Sequence, residues 1–210
     1  MTAIKEASAI KQTLVWLTVA LACGLLVVQF IRALPDAVER ERLGRGAAER
    51  AVCEPALHPE PHNSALGDLS TGGASAPEFK LSDYAGRPIA LSELRGRVVV
   101  LNFWATWCPT CVVEMPSLDA LAVSEKGKPV SVLAVSVDEN WDLVRSFFAQ
   151  GTAMTVLLDK DKSVPPRYGT EKVPETFIID KDGKVRYYIV SDRDWNSPDI
   201  RACIDQLAKR

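Results

Sequence analysis

The stretch RVVVLNFWATWCPTC, residues 97–111, constrains the fold more than any other part of the chain. An apolar run of buried-strand type gives way within a few residues to Pro109, which suits the first turn of a helix because it lacks the N–H that would go unpaired there. The helical pattern then continues to about Lys126 and ends at Gly127. Cys108 and Cys111 fall at this strand-to-helix junction. A pair at that spacing can be a redox couple, half of a metal site or two ordinary buried thiols.

The flanking sequence says what kind of sheet the strand joins. From Pro77, EFKLSD and PIALSEL read as short strands around a YAGR turn, VSVLAVSVD as a second buried strand, and NWDLVRSFFAQ as a helix closed by Gly151. MTVLLD is a further strand, ETFIID and VRYYIV form a hairpin about KDGK, and SPDIRACIDQLAKR is a helix capped by Ser197 with Pro198 first inside it. Strands alternating with helices predict an α/β sandwich, a mixed central sheet flanked by helices, over residues 77–210. Hydrophobic residues make up 47% of the chain and charged residues 25%, enough to bury a core. A net charge of -2 gives no reason to expect nucleic acid as a partner.

Ahead of this domain, residues 12–31, QTLVWLTVALACGLLVVQFI, carry no charge. As a helix they would be about 30 Å long, the thickness of a bilayer core. A single transmembrane anchor after a short tail, 1–11, is therefore expected. A cleaved signal is the closest rival, but its apolar region would normally be shorter. Lys5 and Lys11 precede the span, and Arg32, Arg40, Arg42, Arg45 and Arg50 follow it. That count favours a cytoplasmic domain, the cysteine chemistry argues the opposite, and long domains translocate largely regardless of charge. Residues 32–76 read as a juxtamembrane segment and linker, with a short helix over 36–51 broken near Gly44 and Gly46 and then a proline-rich run. Cys53, His58 and His62 match no closed zinc pattern, so no metal is expected there.

At the start of a helix, unpaired N–H groups and the helix dipole favour a negative charge. That lowers the pKa of Cys108 and makes the thiolate, the species that attacks disulfides. Cys111, one turn on, is placed to attack the mixed disulfide that Cys108 would form. With five cysteines in all, at least one lies outside any intramolecular pairing. Cys203 lies with Ile200 and Leu207 on the apolar face of the last helix and is expected to pack in the core. Cys53 can pair with another copy or with Cys203, and no pattern in the sequence decides between them.

FWATWCPTC, with VPETFIIDKDGKV downstream, resembles the thioredoxin superfamily, and within it the membrane-anchored TlpA/ResA/CcmG group of thiol-disulfide oxidoreductases. The resemblance spans about residues 77–210. It implies a thioredoxin-like fold on the periplasmic side of the inner membrane, reducing disulfides of substrate proteins, apocytochrome c or its chaperone among them. It also implies re-reduction by a transmembrane thiol donor, and no cofactor beyond a redox-active Cys108–Cys111 disulfide. Carried over by position, Cys108 is the nucleophile, Cys111 the resolving thiol, and Pro174 a cis-proline facing the pair. The backbone of Val173 would then pair with an extended substrate. Glu114 matches the group's active-site glutamate, on the same helix face as Cys111, where it can carry a proton. Trp107, Pro109 and Thr110 would shape the surface that meets substrate, whereas Trp104 reads as packing. Asn102 stands where thioredoxin has a buried aspartate; an amide cannot accept the proton, which shifts that burden to Glu114.

Two related functions compete. A peroxiredoxin needs threonine three residues and proline seven residues before its cysteine, and here Ala105 and Leu101 precede Cys108 at those distances. A copper carrier needs a histidine beyond the cysteines, and none follows His62.

Overall fold

The computed structural model describes residues 2–69 and 73–209, except for the side chains of 2–15, 17–20, 32–37, 42 and 62. The chain divides into two compact units, Met1–Ala48 and Glu49–Arg210. Helix α1 (Thr2–Leu57) runs unbroken through Gly44 and Gly46, where the composition suggested a break. A glycine inside a helix costs only about 1 kcal/mol, and Glu41 and Arg45 pair one turn apart at 3.2 Å beside it. The described side chains between Leu21 and Ile31 are all exposed. Among the described residues no helix is long and apolar enough to cross a membrane. The span expected over 12–31 includes side chains, 12–15 and 17–20, that lie outside the described residues.

The second unit begins well before Pro77. Glu49, Cys53 and Leu57, four residues apart on the last turns of α1, are fully buried and form one stripe along the helix. Cys53 is disulfide-bonded to Cys203, with Cα atoms 4.8 Å apart. Glu49 accepts a hydrogen bond from the Tyr187 hydroxyl at 2.9 Å and pairs with Arg186 at 3.1 Å. A two-stranded ribbon follows, β1 (His62–Asn63) against β2 (Gly67–Asp68), and Leu69 is buried behind it. Residues 49–69 are thus part of the folded unit, not the linker their composition suggested. One buried residue per turn among charges gives too thin a stripe to stand out in sequence. Pro59 and Pro61 follow the helix and leave it intact. Cys203 is buried with Ile200 and Leu207, as its position on the last helix implied, but it is half of a disulfide.

The main sheet has eight strands, in chain order β3 (Ala74–Ser75), β4 (Lys80–Asp83), β5 (Pro88–Ala90), β6 (Val98–Trp104), β7 (Val130–Ser136), β8 (Thr155–Leu158), β9 (Glu175–Ile179) and β10 (Lys184–Val190). Their spatial order is β3-β10-β9-β6-β7-β8-β4-β5. The helices are α2 (Pro109–Ser124), α3 (Trp141–Phe147) and α4 (Pro198–Ala208). All seven residues of β6 are buried; the strand is parallel to β7 and antiparallel to β9. Because side chains alternate across a strand, Val98, Val100 and Trp104 enter a core shared with α2, α4 and the end of α1, while Val99, Leu101 and Phe103 enter a second core with Phe79, Tyr168 and Phe177. Asn102, the one polar residue of β6, falls on the α2 side.

The Cys53–Cys203 bond closes a loop of 150 residues, a span over which a cross-link removes substantial entropy from the unfolded chain. The double variant Cys53→Ala/Cys203→Ala is expected to lose about 3–5 kcal/mol in urea denaturation while still forming the Cys108–Cys111 disulfide. A loss under about 1 kcal/mol would show that the cross-link does not constrain this fold.

Candidate active site

β6 ends at Trp104 and α2 begins at Pro109, so residues 105–108 must turn sharply at the edge of both cores. The turn is held from the neighbouring strand. Asp138, buried just beyond β7, accepts from the Thr106 hydroxyl at 2.8 Å, the Thr106 N–H at 3.1 Å and the Ser136 hydroxyl at 2.7 Å. Cys108 then occupies the N-cap of α2 with extended backbone, and its Sγ accepts the N–H of Cys111 at 3.2 Å. That N–H is one of the donors an α-helix leaves unpaired at its start. The two cysteines are disulfide-bonded, Cα atoms 5.2 Å apart. Cys108 is 4% exposed and Cys111 fully buried, so Cys108 is the sulfur nearer the surface.

The loop before β9 closes the other side. The Val173–Pro174 peptide bond is cis, and Val173 O lies 3.5 Å from Cys108 Sγ. Thr110 Oγ1 is 3.4 Å from the same sulfur. Pro109 and Thr110 are exposed, and beside them stand apolar side chains left open to solvent: Trp107 at 64%, Val113 at 70% and Val112. Trp104, by contrast, is fully buried against Phe147 and Phe148. The structure therefore gathers Cys108, Cys111, Trp107, Pro109, Thr110, Val173 and Pro174 at one end of the sheet.

Glu114 lies on the buried face of α2 with Cys111. Its Oε1 accepts from Asn102 Nδ2 at 2.8 Å, and its Oε2 from the indole Nε1 of Trp195 at 2.8 Å. Asn102 Nδ2 also donates to Thr176 Oγ1 at 2.9 Å, across the β6–β9 register that sets these two residues opposite each other. Burial pushes the Glu114 carboxyl up to about 7. Its hydrogen bonds oppose that shift, and the nearby Asp192 charge adds to it. Glu175, next to Pro174, is buried as well, and burial raises its carboxyl above the usual range.

Asp138, Trp195 and Thr176 escaped the sequence reading. Asp138 has one usable signal, since it lies just past the end of the parallel strand beside β6, where open α/β sheets place functional groups. Trp195 and Thr176 have none. Cys53 is not available as a metal ligand while bonded to Cys203. Among the described residues no cluster of three or more His, Cys, Asp or Glu side chains is arranged to hold a metal.

A buried cysteine pair at a helix N-terminus, set against a cis-proline on a mixed sheet, places the protein among the thioredoxin-fold thiol-disulfide oxidoreductases. Comparison with known proteins bears this out. The redoxin family profile matches residues 71–204. Thiol-disulfide oxidoreductase ResA of Bacillus thuringiensis (strain Al Hakam) is 39% identical over 122 residues, 58% of this chain and 70% of that one. ResA of Geobacillus thermodenitrificans (strain NG80-2) is 41% identical over 118 residues, 56% and 68% of the two chains. A Chlorobium tepidum crystal structure described as a thiol:disulfide interchange protein DsbE superposes with a TM-score of 0.58 at 33% identity, covering 63% of this chain and 96% of that one. The chain belongs to the redoxin family, in its TlpA/ResA/CcmG-like branch of the thioredoxin superfamily.

Because burial raises the folded-state pKa of Glu114 from 4.5 to about 7, the neutral carboxyl is the form the fold favours. The stability tied to it is complete below pH 4.5 and is lost as pH rises through about 7. Glu114→Gln, which stays neutral, should gain on the parent protein by about 3 kcal/mol between pH 4.5 and pH 8.5. Urea denaturation of both proteins at the two pH values checks this, and a constant difference would mean the carboxyl does not titrate in that window.

Proposed function

We propose that this protein is a membrane-anchored reductant of substrate-protein disulfides on the extracytoplasmic side of the membrane, with Cys108 and Cys111 as its only redox centre and no further cofactor. The observation that carries the reading is the placement of Cys108: capped by the Cys111 N–H at the start of α2, 3.5 Å from the backbone of the cis-proline loop. Once the pair is reduced, that N–H and the helix dipole are directed at the Cys108 sulfur and stabilise its thiolate.

In the exchange, the Cys108 thiolate attacks one sulfur of the substrate disulfide and expels the other as a thiolate. Glu114 takes the proton of Cys111, and the Cys111 thiolate attacks Cys108 Sγ and releases the second substrate sulfur. Two electrons pass to the substrate and the enzyme is left with the Cys108–Cys111 disulfide, to be re-reduced by a transmembrane thiol donor. Trp107, Pro109, Thr110, Val112 and Val113 offer an apolar landing surface around Cys108, and the backbone at Val173 offers an edge to an extended segment of substrate. Apocytochrome c or its chaperone, the substrates the family resemblance implies, would meet that surface.

The second disulfide supports the extracytoplasmic compartment. Cys53 and Cys203 are both fully buried and bonded, and such cross-links persist in oxidising compartments and are rare in the cytosol. The lysines and arginines around residues 12–31 favour the opposite orientation, but long domains translocate largely regardless of flanking charge. Support for the anchor is the uncharged run itself, helical throughout, with its described apolar side chains exposed from Leu21 to Ile31.

Cys108→Ser should abolish reduction of a disulfide-bonded protein substrate, while Cys111→Ser should accumulate a mixed disulfide through Cys108. The direction of electron flow is read from the reduction potential. A value near or below about -270 mV fits a reductant, and one above about -180 mV would make the protein an oxidant or isomerase instead.

A further inference from the structure

The segment between β10 and α4, residues 191–197, packs onto α2 at the level of Glu114. Ser117 Oγ lies 2.8 Å from Glu114 O and 3.2 Å from Arg193 O, and it accepts the Trp195 N–H at 3.0 Å. These bonds register the segment so that the indole of the fully buried Trp195 reaches Glu114 Oε2 at 2.8 Å. The partners are 81 residues apart in sequence.

An indole nitrogen donates and never accepts. Trp195 therefore favours the carboxylate over the acid, and it cannot take the proton itself. Asn102 on the sheet favours the carboxylate as well, donating to the other oxygen, Oε1, at 2.8 Å, but less strongly than Trp195; the Arg193 backbone assists ionisation more weakly still, and Asp192 on the same segment opposes it. On α2 itself the titrating neighbours are the two site cysteines. Without the indole N–H, Asn102 and the Arg193 backbone alone would oppose burial, and Glu114 would hold its proton to higher pH.

We propose that Trp195 is a positioning residue for thiol–disulfide exchange: its indole N–H fixes the Glu114 carboxyl on the Cys111 face of α2 and stabilises its ionised form, so that Glu114 can exchange a proton with Cys111. This rests on Glu114 as the proton carrier. It makes the segment between β10 and α4 part of the active site.

Trp195→Phe keeps an aromatic ring and removes the donor. Two readouts on the full chain separate this inference from the reading beneath it. The first is the titration of the Glu114 carboxyl in the reduced protein, followed by carbon-13 NMR, which needs no activity. Loss of a hydrogen bond to a charged group should raise the midpoint by about 1–2 pH units. The second is the single-turnover oxidation of the reduced protein by oxidised glutathione across pH. Where closure by Cys111 limits the rate, Trp195→Phe should be about five- to fiftyfold slower near pH 7 and converge with the parent above about pH 9.5. In a Glu114→Gln background the same substitution should leave the profile unchanged.

An unmoved Glu114 midpoint in Trp195→Phe would overturn the inference, as would a rate loss that persists undiminished in the Glu114→Gln background, since that would mark a purely structural effect. If Trp195→Phe does not fold, β-(3-benzothienyl)alanine at position 195, which has the indole's shape without its N–H, decides the same question by the same midpoint. Failure of the parent protein to oxidise with glutathione at any pH would sink the redox reading, and the carboxyl titration would still judge the contact with Trp195.

Discussion

β6 is buried along its whole length and covered on both faces, so its position in the sheet is set by two cores at once and leaves it no freedom to shift. Whatever follows it is delivered to one place. The four residues after Trp104 turn into α2, and Asp138 ties that turn to the end of β7 through Thr106. Cys108 inherits its position from the strand and its electrostatics from the helix. The antiparallel pairing of β6 with β9 then fixes the third component, because setting Asn102 opposite Thr176 places Pro174 and Val173 at the same end of the sheet. Cys108 and the cis-proline loop meet because both are extensions of one pair of strands.

Two opposite electrostatic devices operate within two turns of α2. At its start, an unpaired N–H and the helix dipole favour a negative charge on sulfur. On its buried face, exclusion of water disfavours a negative charge on Glu114, and two hydrogen bonds restore part of the loss. The second leaves the Glu114 carboxyl at about 7, well above the range in which an exposed glutamate titrates. Asn102 contributes through its amide donor, a role that an ionised aspartate in its place could not fill.

The two disulfides differ in the way their neighbourhoods demand. Cys108 and Cys111 are three residues apart at a helix end, beside an exposed apolar surface. Cys53 and Cys203 are 150 residues apart, fully buried, and clamp the end of α1 to α4. A bond without access to solvent is out of reach of a protein thiol, so the second pair can persist while the first cycles. The clamp also closes the core that contains Trp195 and α2.

The features that the amino-acid sequence determined by itself are those carried by neighbours along the chain. The strand-to-helix junction at Cys108, the one-turn spacing to Cys111, Glu114 on the same helix face and the Ser197 cap of α4 all rest on periods of two or three to four residues. The alternation of strands and helices placed them on a mixed sheet. Pro174 was legible because proline is nearly the only residue that admits a cis peptide bond. Tertiary structure alone decided the rest. Trp195 meets Glu114 across 81 residues, Thr106 meets Asp138 across 32, and Cys53 meets Cys203 across 150. Residues 49–69 passed for linker because their buried stripe has meaning only against the partner helix that covers it. A local pattern reports which face of an element is apolar. Which distant residue lies against that face depends on how the elements pack, and no period in the sequence records it.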